Sequence, residues 1–85
     1  MRLEIVCFGA LRDHVPAGAD DNRFELDMPE GSTAADVLER IGAPRRLAAV
    51  ILQDGETIDL DLPLADGCEL TLMPPFSGGS LRIKE

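Results

Sequence analysis

The sequence predicts an α+β fold: a mixed four- to five-stranded sheet with one main helix packed across it and a short extra helix. Two observations carry this. Apolar residues alternate with polar ones in short runs, Leu3/Ile5/Cys7, Phe24/Leu26/Met28 and Leu70/Leu72, the two-residue period of strands. Between them, Ala34, Val37, Leu38 and Ile41 recur at helical spacing, forming a single stripe that has to be buried. With 85 residues the chain can make only one small core, and one helix laid across a sheet buries this pattern economically.

Each element follows from local chemistry. Residues 2–8 place Leu3, Ile5 and Cys7 on one face and Val6 and Phe8 on the other. A strand apolar on both faces predicts a central position. Leu11 and Val15, one turn apart, predict a short helix over residues 9–15, and residues 16–22 read as loop. Residues 23–28 alternate as a strand with one wet face, and Pro29-Glu30-Gly31-Ser32 turns the chain. Thr33 and Asp36 fit a capping box at the start of a helix over residues 33–41. Gly42 suits its left-handed end, and Pro44 prevents continuation.

Residues 47–52 read as a third strand, turned by Gln53-Asp54-Gly55 into a short return over residues 56–60. Leu62 and Leu64 sit in a loop whose leucines can plug the open end of the core, and residues 68–73 form the last strand. This arrangement predicts residues 2–8 and 68–73 side by side at the centre, with Leu38 and Ile41 buried beneath the helix.

Composition narrows the function. The chain carries 16 acidic and 8 basic residues, a net charge of −8. That field repels phosphate backbones and favours a partner with a basic face; Arg45 and Arg46 alone supply no basic stripe, so nucleic-acid binding is not expected. The acids are spread along the chain and read as solvated surface. No apolar run approaches the roughly 18 residues of a membrane span, and Met1-Arg2-Leu3-Glu4 starts no signal peptide. A cytoplasmic protein is expected. Cys7 and Cys68 lie far apart within apolar patterns and His14 is the only histidine, which predicts two buried thiols and no metal site.

Several stretches together resemble the ubiquitin-like β-grasp sulfur carriers of the MoaD/ThiS family. Residues 8–13, Phe-Gly-Ala-Leu-Arg-Asp, resemble the strand-to-helix junction of molybdopterin-synthase small subunits. Gly31-Ser32-Thr33 before Asp36-Val37-Leu38 resembles the turn before the family's main helix, and residues 64–70 resemble its Leu-x-Asp-Gly loop and last strand. Residues 73–79, Met-Pro-Pro-Phe-Ser-Gly-Gly, resemble its Pro-Pro-x-x-Gly-Gly tail, and the diproline favours the molybdopterin branch over the thiamin branch.

The resemblance implies a β-grasp domain over residues 1–73, an extended tail over 74–79 and an extension over 80–85. It implies a carrier, not an enzyme. It also implies that no cofactor is bound by the carrier itself. A ubiquitin-activator-like adenylyltransferase would use ATP to adenylate the glycine carboxylate at Gly79, and sulfur would displace AMP to leave a thiocarboxylate. The acceptor in the molybdopterin branch, or its tungsten counterpart, is held on the large subunit of molybdopterin synthase. Cysteine, homocysteine, thiamin and transfer-RNA thiolation use related carriers.

The residue types of the tail suit this work. Pro74 and Pro75 hold the chain extended and keep it from pairing. Phe76 can anchor the base of the tail in a partner pocket, and Gly78 and Gly79 can pass a narrow channel. Residues 74–79 span about 20 Å when extended.

One departure bears on the chemistry. Ser80 follows Gly79, and residues 80–85 read Ser-Leu-Arg-Ile-Lys-Glu. Either these residues are a cap removed by a processing metalloprotease, or the carrier chemistry has been lost and the domain is an interaction module that docks its sheet face. Ser77-Gly78-Gly79 also fits a plain turn, with Leu81 and Ile83 alternating as an edge strand. Asp59 and Asp61 read as exposed acids and His14 as a surface histidine.

Overall fold

The computed structural model describes residues 1–17, 19 and 21–75. Strand β1 (Arg2–Cys7) is followed by a 3₁₀ helix, Gly9–His14, and strand β2 (Arg23–Asp27) leads into helix α1 (Ala34–Ile41). A 3₁₀ turn, Arg45–Leu47, precedes β3 (Val50–Gln53), β4 (Glu56–Thr57) and β5 (Glu69–Met73). The sheet order is β2-β1-β5-β3-β4. β1 and β5 run parallel at its centre while the other pairs are antiparallel, so the sheet is mixed as expected. A parallel pair needs a crossover connection, and the chain carrying α1 supplies it.

The predicted capping box is present: the Thr33 hydroxyl accepts from the Asp36 amide at 3.3 Å, and the Asp36 carboxylate accepts from the Thr33 amide at 3.0 Å. Gly42 ends the helix at φ 79°, a conformation that costs glycine little. Ala34, Val37 and Leu38 are buried against Leu3, Ile5, Cys7, Leu70 and Leu72. Ile41 is only half-buried, against expectation. It is the last helical residue and lines an open groove with His14, Pro16, Phe24 and Leu26.

Other expectations need correction. The third strand starts at Val50, because Pro44 opens a 3₁₀ turn in which the Leu47 amide reaches the Pro44 carbonyl at 3.1 Å. The return strand stops at Thr57, with one further bond from the Ile58 amide to the Ile51 carbonyl. Of the two loop leucines only Leu64 is buried; Leu62 is 43% exposed.

Nor are all the acids simply solvated. Asp54 and Gly55, both at positive φ, form the two-residue turn between β3 and β4. The Asp54 carboxylate accepts from the Glu69 amide at 2.9 Å, and the Asp54 amide donates to the Glu69 carbonyl. The Asp66 carboxylate likewise accepts from the Arg2 amide at 2.9 Å. Two acids thus pin loops to strand ends.

Both cysteines are free and buried, as the sequence predicts. Burial pushes the Cys7 thiol up to about 11; burial, with the nearby Asp54 charge, raises Cys68 as well. Cys7 stands opposite Leu72, whereas Cys68 lies just before β5, its carbonyl bonded to the Glu4 amide. The two thiols sit at opposite ends of the central strand pair.

Candidate functional site

Strand register decides what each face of the sheet offers, because side chains alternate and paired residues share a face. Leu3, Ile5 and Cys7 pair with Leu26, Phe24 and Leu72, and point toward the helix side. The other face carries Val6 beside Thr71, Thr71 beside Leu52, and Met73 beside Val50. Phe8, just past β1, is 40% exposed. Val50, Leu52, Thr71 and Met73 are half-buried, so this outer face presents a partly exposed apolar area over β5 and β3.

The same face is charged at its other end. Glu25, Glu4 and Glu69 stand in register across β2, β1 and β5. Arg23 bridges Glu4 at 2.9 Å and Glu69 at 2.8 Å, and Arg2 bridges Glu25 at 2.6 Å and Asp27 at 3.1 Å. Hydrogen bonding to these carboxylates raises both guanidiniums above their ordinary range. Four carboxylates against two guanidiniums leave this half negative.

The tail segment departs from the apolar end. The Ala49 amide donates to the Met73 carbonyl at 2.9 Å and the Phe8 amide to the Leu72 carbonyl at 3.0 Å. β5 is therefore paired on both sides to its last residue. Pro74 has no amide hydrogen to continue the ladder, and the strand stops there. Pro74 is half-buried and Pro75 exposed. Gly9, at φ 59°, lies against the Pro74 ring: a Cβ at Gly9 would fall 2.5 Å from the Pro74 Cγ.

Of the site residues expected from sequence, Pro74 and Pro75 thus stand at the end of a central strand. Phe76, Gly78 and Gly79 lie outside the described residues, as does the extension over 80–85. Asp59 and Asp61 are exposed in a turn and do not face each other across a strand. Among the described residues no group of three or more His, Cys, Asp or Glu side chains could hold a metal ion, and no helix is long and apolar enough to cross a membrane.

Sequence reasoning placed Val6 and Phe8 on a second apolar face but missed the extension of that face over β3 and β5, and it missed the Gly9 contact with Pro74. Val50 and Leu52, alternating with the buried Ile51, were the available signal for the first. The second depends on a contact between opposite ends of the chain.

A mixed five-stranded sheet grasping one helix, with a central strand running out into a diproline, defines a ubiquitin-like β-grasp domain. The ThiS family model matches residues 5–79, and the chain belongs to that family. Among solved structures, it is similar to SAMP1 from Haloferax volcanii, at 28% identity and a TM-score of 0.67, covering 93% of this chain and all of that one. It is also similar to a chain in the complex of subunits 1 and 2 of molybdopterin-converting factor from Helicobacter pylori. That match has 26% identity and a TM-score of 0.59, over 93% of this chain and all of that one.

Proposed function

We propose that this protein is a sulfur carrier whose Gly79, once exposed as a terminus, is activated and thiolated for molybdenum or tungsten cofactor biosynthesis in the cytoplasm. The observation that carries the reading is the end of β5. A central strand, held by bonds on both sides, runs into Pro74-Pro75 beside an apolar outer face. Such a base can deliver a narrow glycine-ended tail into a partner's cleft while the outer face docks.

The chemistry needs a free carboxylate. With Ser80 present, the Gly79 carbonyl is held in a peptide bond. Hydrolysis after Gly79, by a protease of the metal-dependent kind, releases that carboxylate. Its oxygen then attacks the α-phosphorus of ATP on the activating adenylyltransferase, and pyrophosphate leaves. A hydrosulfide-equivalent donor attacks the acyl carbon, the bond to AMP breaks, and a thiocarboxylate remains. Pro74, Pro75, Phe76, Gly78 and Gly79 make the partner contacts in this reading. A large subunit like the second chain of the Helicobacter pylori complex would hold the acceptor.

The experiment compares two forms, ending at Gly79 and at Glu85, each mixed with ATP and the activating enzyme. Only the Gly79-ended form should gain an adenylyl group by mass, then exchange it for sulfur when the donor is added. The competing reading is an interaction module that keeps residues 80–85, and the apolar outer face would serve it equally. That reading wins should neither form be adenylated while both bind the same partner.

A further inference from the structure

We propose that Gly9 is a positioning residue for the root of the tail: its bare backbone is the floor on which the Pro74 ring rests, and this contact sets the direction in which the chain leaves the domain at Pro74-Pro75. The proposal rests on the carrier reading for its consequence, but the contact stands independently of it.

Three features converge at this point. Gly9 has φ 59° and begins the 3₁₀ helix after β1, so its backbone turns up beside the end of β5. The bond from the Phe8 amide to the Leu72 carbonyl holds the two segments together immediately before the contact. A Cβ on Gly9 would then meet Pro74 Cγ at 2.5 Å, Cδ at 3.2 Å and Cβ at 3.5 Å. Gly31, Gly42, Gly55 and Gly67 also have positive φ, yet a Cβ on any of them would meet nothing within 4 Å. Only Gly9 among these combines a left-handed backbone with a close approach.

The Pro74 ring cannot swing aside as a flexible side chain would, because it is closed onto its own backbone nitrogen. Reaching an ordinary separation of 3.4 Å requires a movement of about 1 Å, and much of it falls on the Pro74 backbone. That backbone is the root of the tail. On the carrier reading the tail is delivered from this root, and misplacement by about 1 Å can cost as much as a hundredfold in a positioned reaction. The substitution costs some stability through this clash, but the core beneath α1 lies on the other face of the sheet and keeps its packing.

The test separates the close approach from the backbone angle. Gly9→Asn tolerates a left-handed backbone better than Gly9→Ala, yet both add the same Cβ. Both variants, in the Gly79-ended form, should show altered residual dipolar couplings at Pro74 and Pro75 with unchanged couplings over α1. Both should lower kcat/KM for adenylation about tenfold or more. In a Pro74→Ala background the unfolding penalty of Gly9→Ala should shrink, because the ring atoms it strikes are gone. Wild-type couplings in the Asn variant, or a penalty unchanged without the ring, would reduce Gly9 to a turn residue and overturn the proposal. If the unaltered Gly79-ended form is not adenylated, the carrier reading fails, and the couplings and the unfolding comparison still judge the contact.

Discussion

The two faces of the sheet are built from the same strands, and alternate residues of each strand serve different ends. On the helix side Leu3, Ile5, Leu70 and Leu72 are fully buried beneath Val37 and Leu38. On the outer side β5 offers Glu69, Thr71 and Met73, all half-buried, with the charged row at one end and the tail root at the other. The helix side is a completed core whose apolar area is removed from water by this chain alone. The outer side leaves Phe8, Leu52 and Met73 partly wet, which a monomer gains nothing by doing. One face holds the domain together, and the other is available for a partner.

The sharpest way to break the comparison is to damage the core. Leu38→Ala should cost about 2–5 kcal/mol of unfolding free energy, read by denaturant titration, because Leu38 is fully buried at the centre of the helix contact. Partner affinity per folded molecule should not change. A loss below about 1 kcal/mol would mean the helix face is less tightly packed than its burial implies.

Alkaline pH probes the same face through Cys7. Its folded thiol is pushed up to about 11 by burial, while the unfolded thiol ionises near its ordinary value of about 8.5. The raised pKa gives stability that is complete below the unfolded value. It is lost as pH climbs toward 11, because the unfolded chain releases its proton first. The expected loss is about 2–3 kcal/mol, and the chain contains no tyrosine to titrate in that window. Cys68, also raised by burial, adds to the same slope. Cys7→Ala should therefore reduce it, and Cys7→Ala with Cys68→Ala should flatten it, in unfolding titrations; a slope unchanged by the first substitution would refute the assignment.

The outer face should respond in the opposite sense. Leu52→Thr places a β-branched strand former, smaller and more polar than leucine, at a half-buried position and should cost about 1 kcal/mol or less in stability. Its effect on association with the activating enzyme should be the larger one. Calorimetric binding of the Gly79-ended form measures this, and unaltered affinity would remove Leu52 from the docking surface.

Much of this division was legible in the sequence, and the part that was not has a physical cause. The helix was readable because Thr33, Asp36, Gly42 and Pro44 act within a few residues of one another. The central place of β1 followed from Val6 and Phe8 making both its faces apolar. The start of β3 was missed because Pro44 closes a helix and also opens a 3₁₀ turn, and the sequence shows only that the helix ends. Asp54 and Asp66 looked like solvated acids because their partners, the Glu69 and Arg2 amides, arrive only when distant strands meet. The Gly9–Pro74 contact is hidden for the same reason. At the site, Pro74 and Pro75 were placed correctly at a strand end, and the remaining tail residues fall outside the described chain.

The smallest expected effect tests whether the charged half of the outer face is a stabilising device at all. Register sets Glu4 between Glu25 and Glu69, and like charges directly opposite on neighbouring strands repel. Arg23 reaches both Glu4 and Glu69 and so offsets that repulsion. Its side chain is 45% exposed, however, and those of its partners are 43% and 40% exposed, so water and salt screen most of the gain. Arg23→Gln should therefore lower stability by less than about 1 kcal/mol at low ionic strength. The loss should fade as salt approaches about 1 M, where the screening length falls to about 3 Å. Leu38→Ala, acting through apolar area, should show no such fading. The Arg23 variant should also bind a basic partner face faster at low salt, because the row of carboxylates loses a neutralising charge. A stability loss that persists undiminished at high salt would show that Arg23 works through its aliphatic stem packed beside Val6, its register neighbour, and the outer face would then share in the core after all.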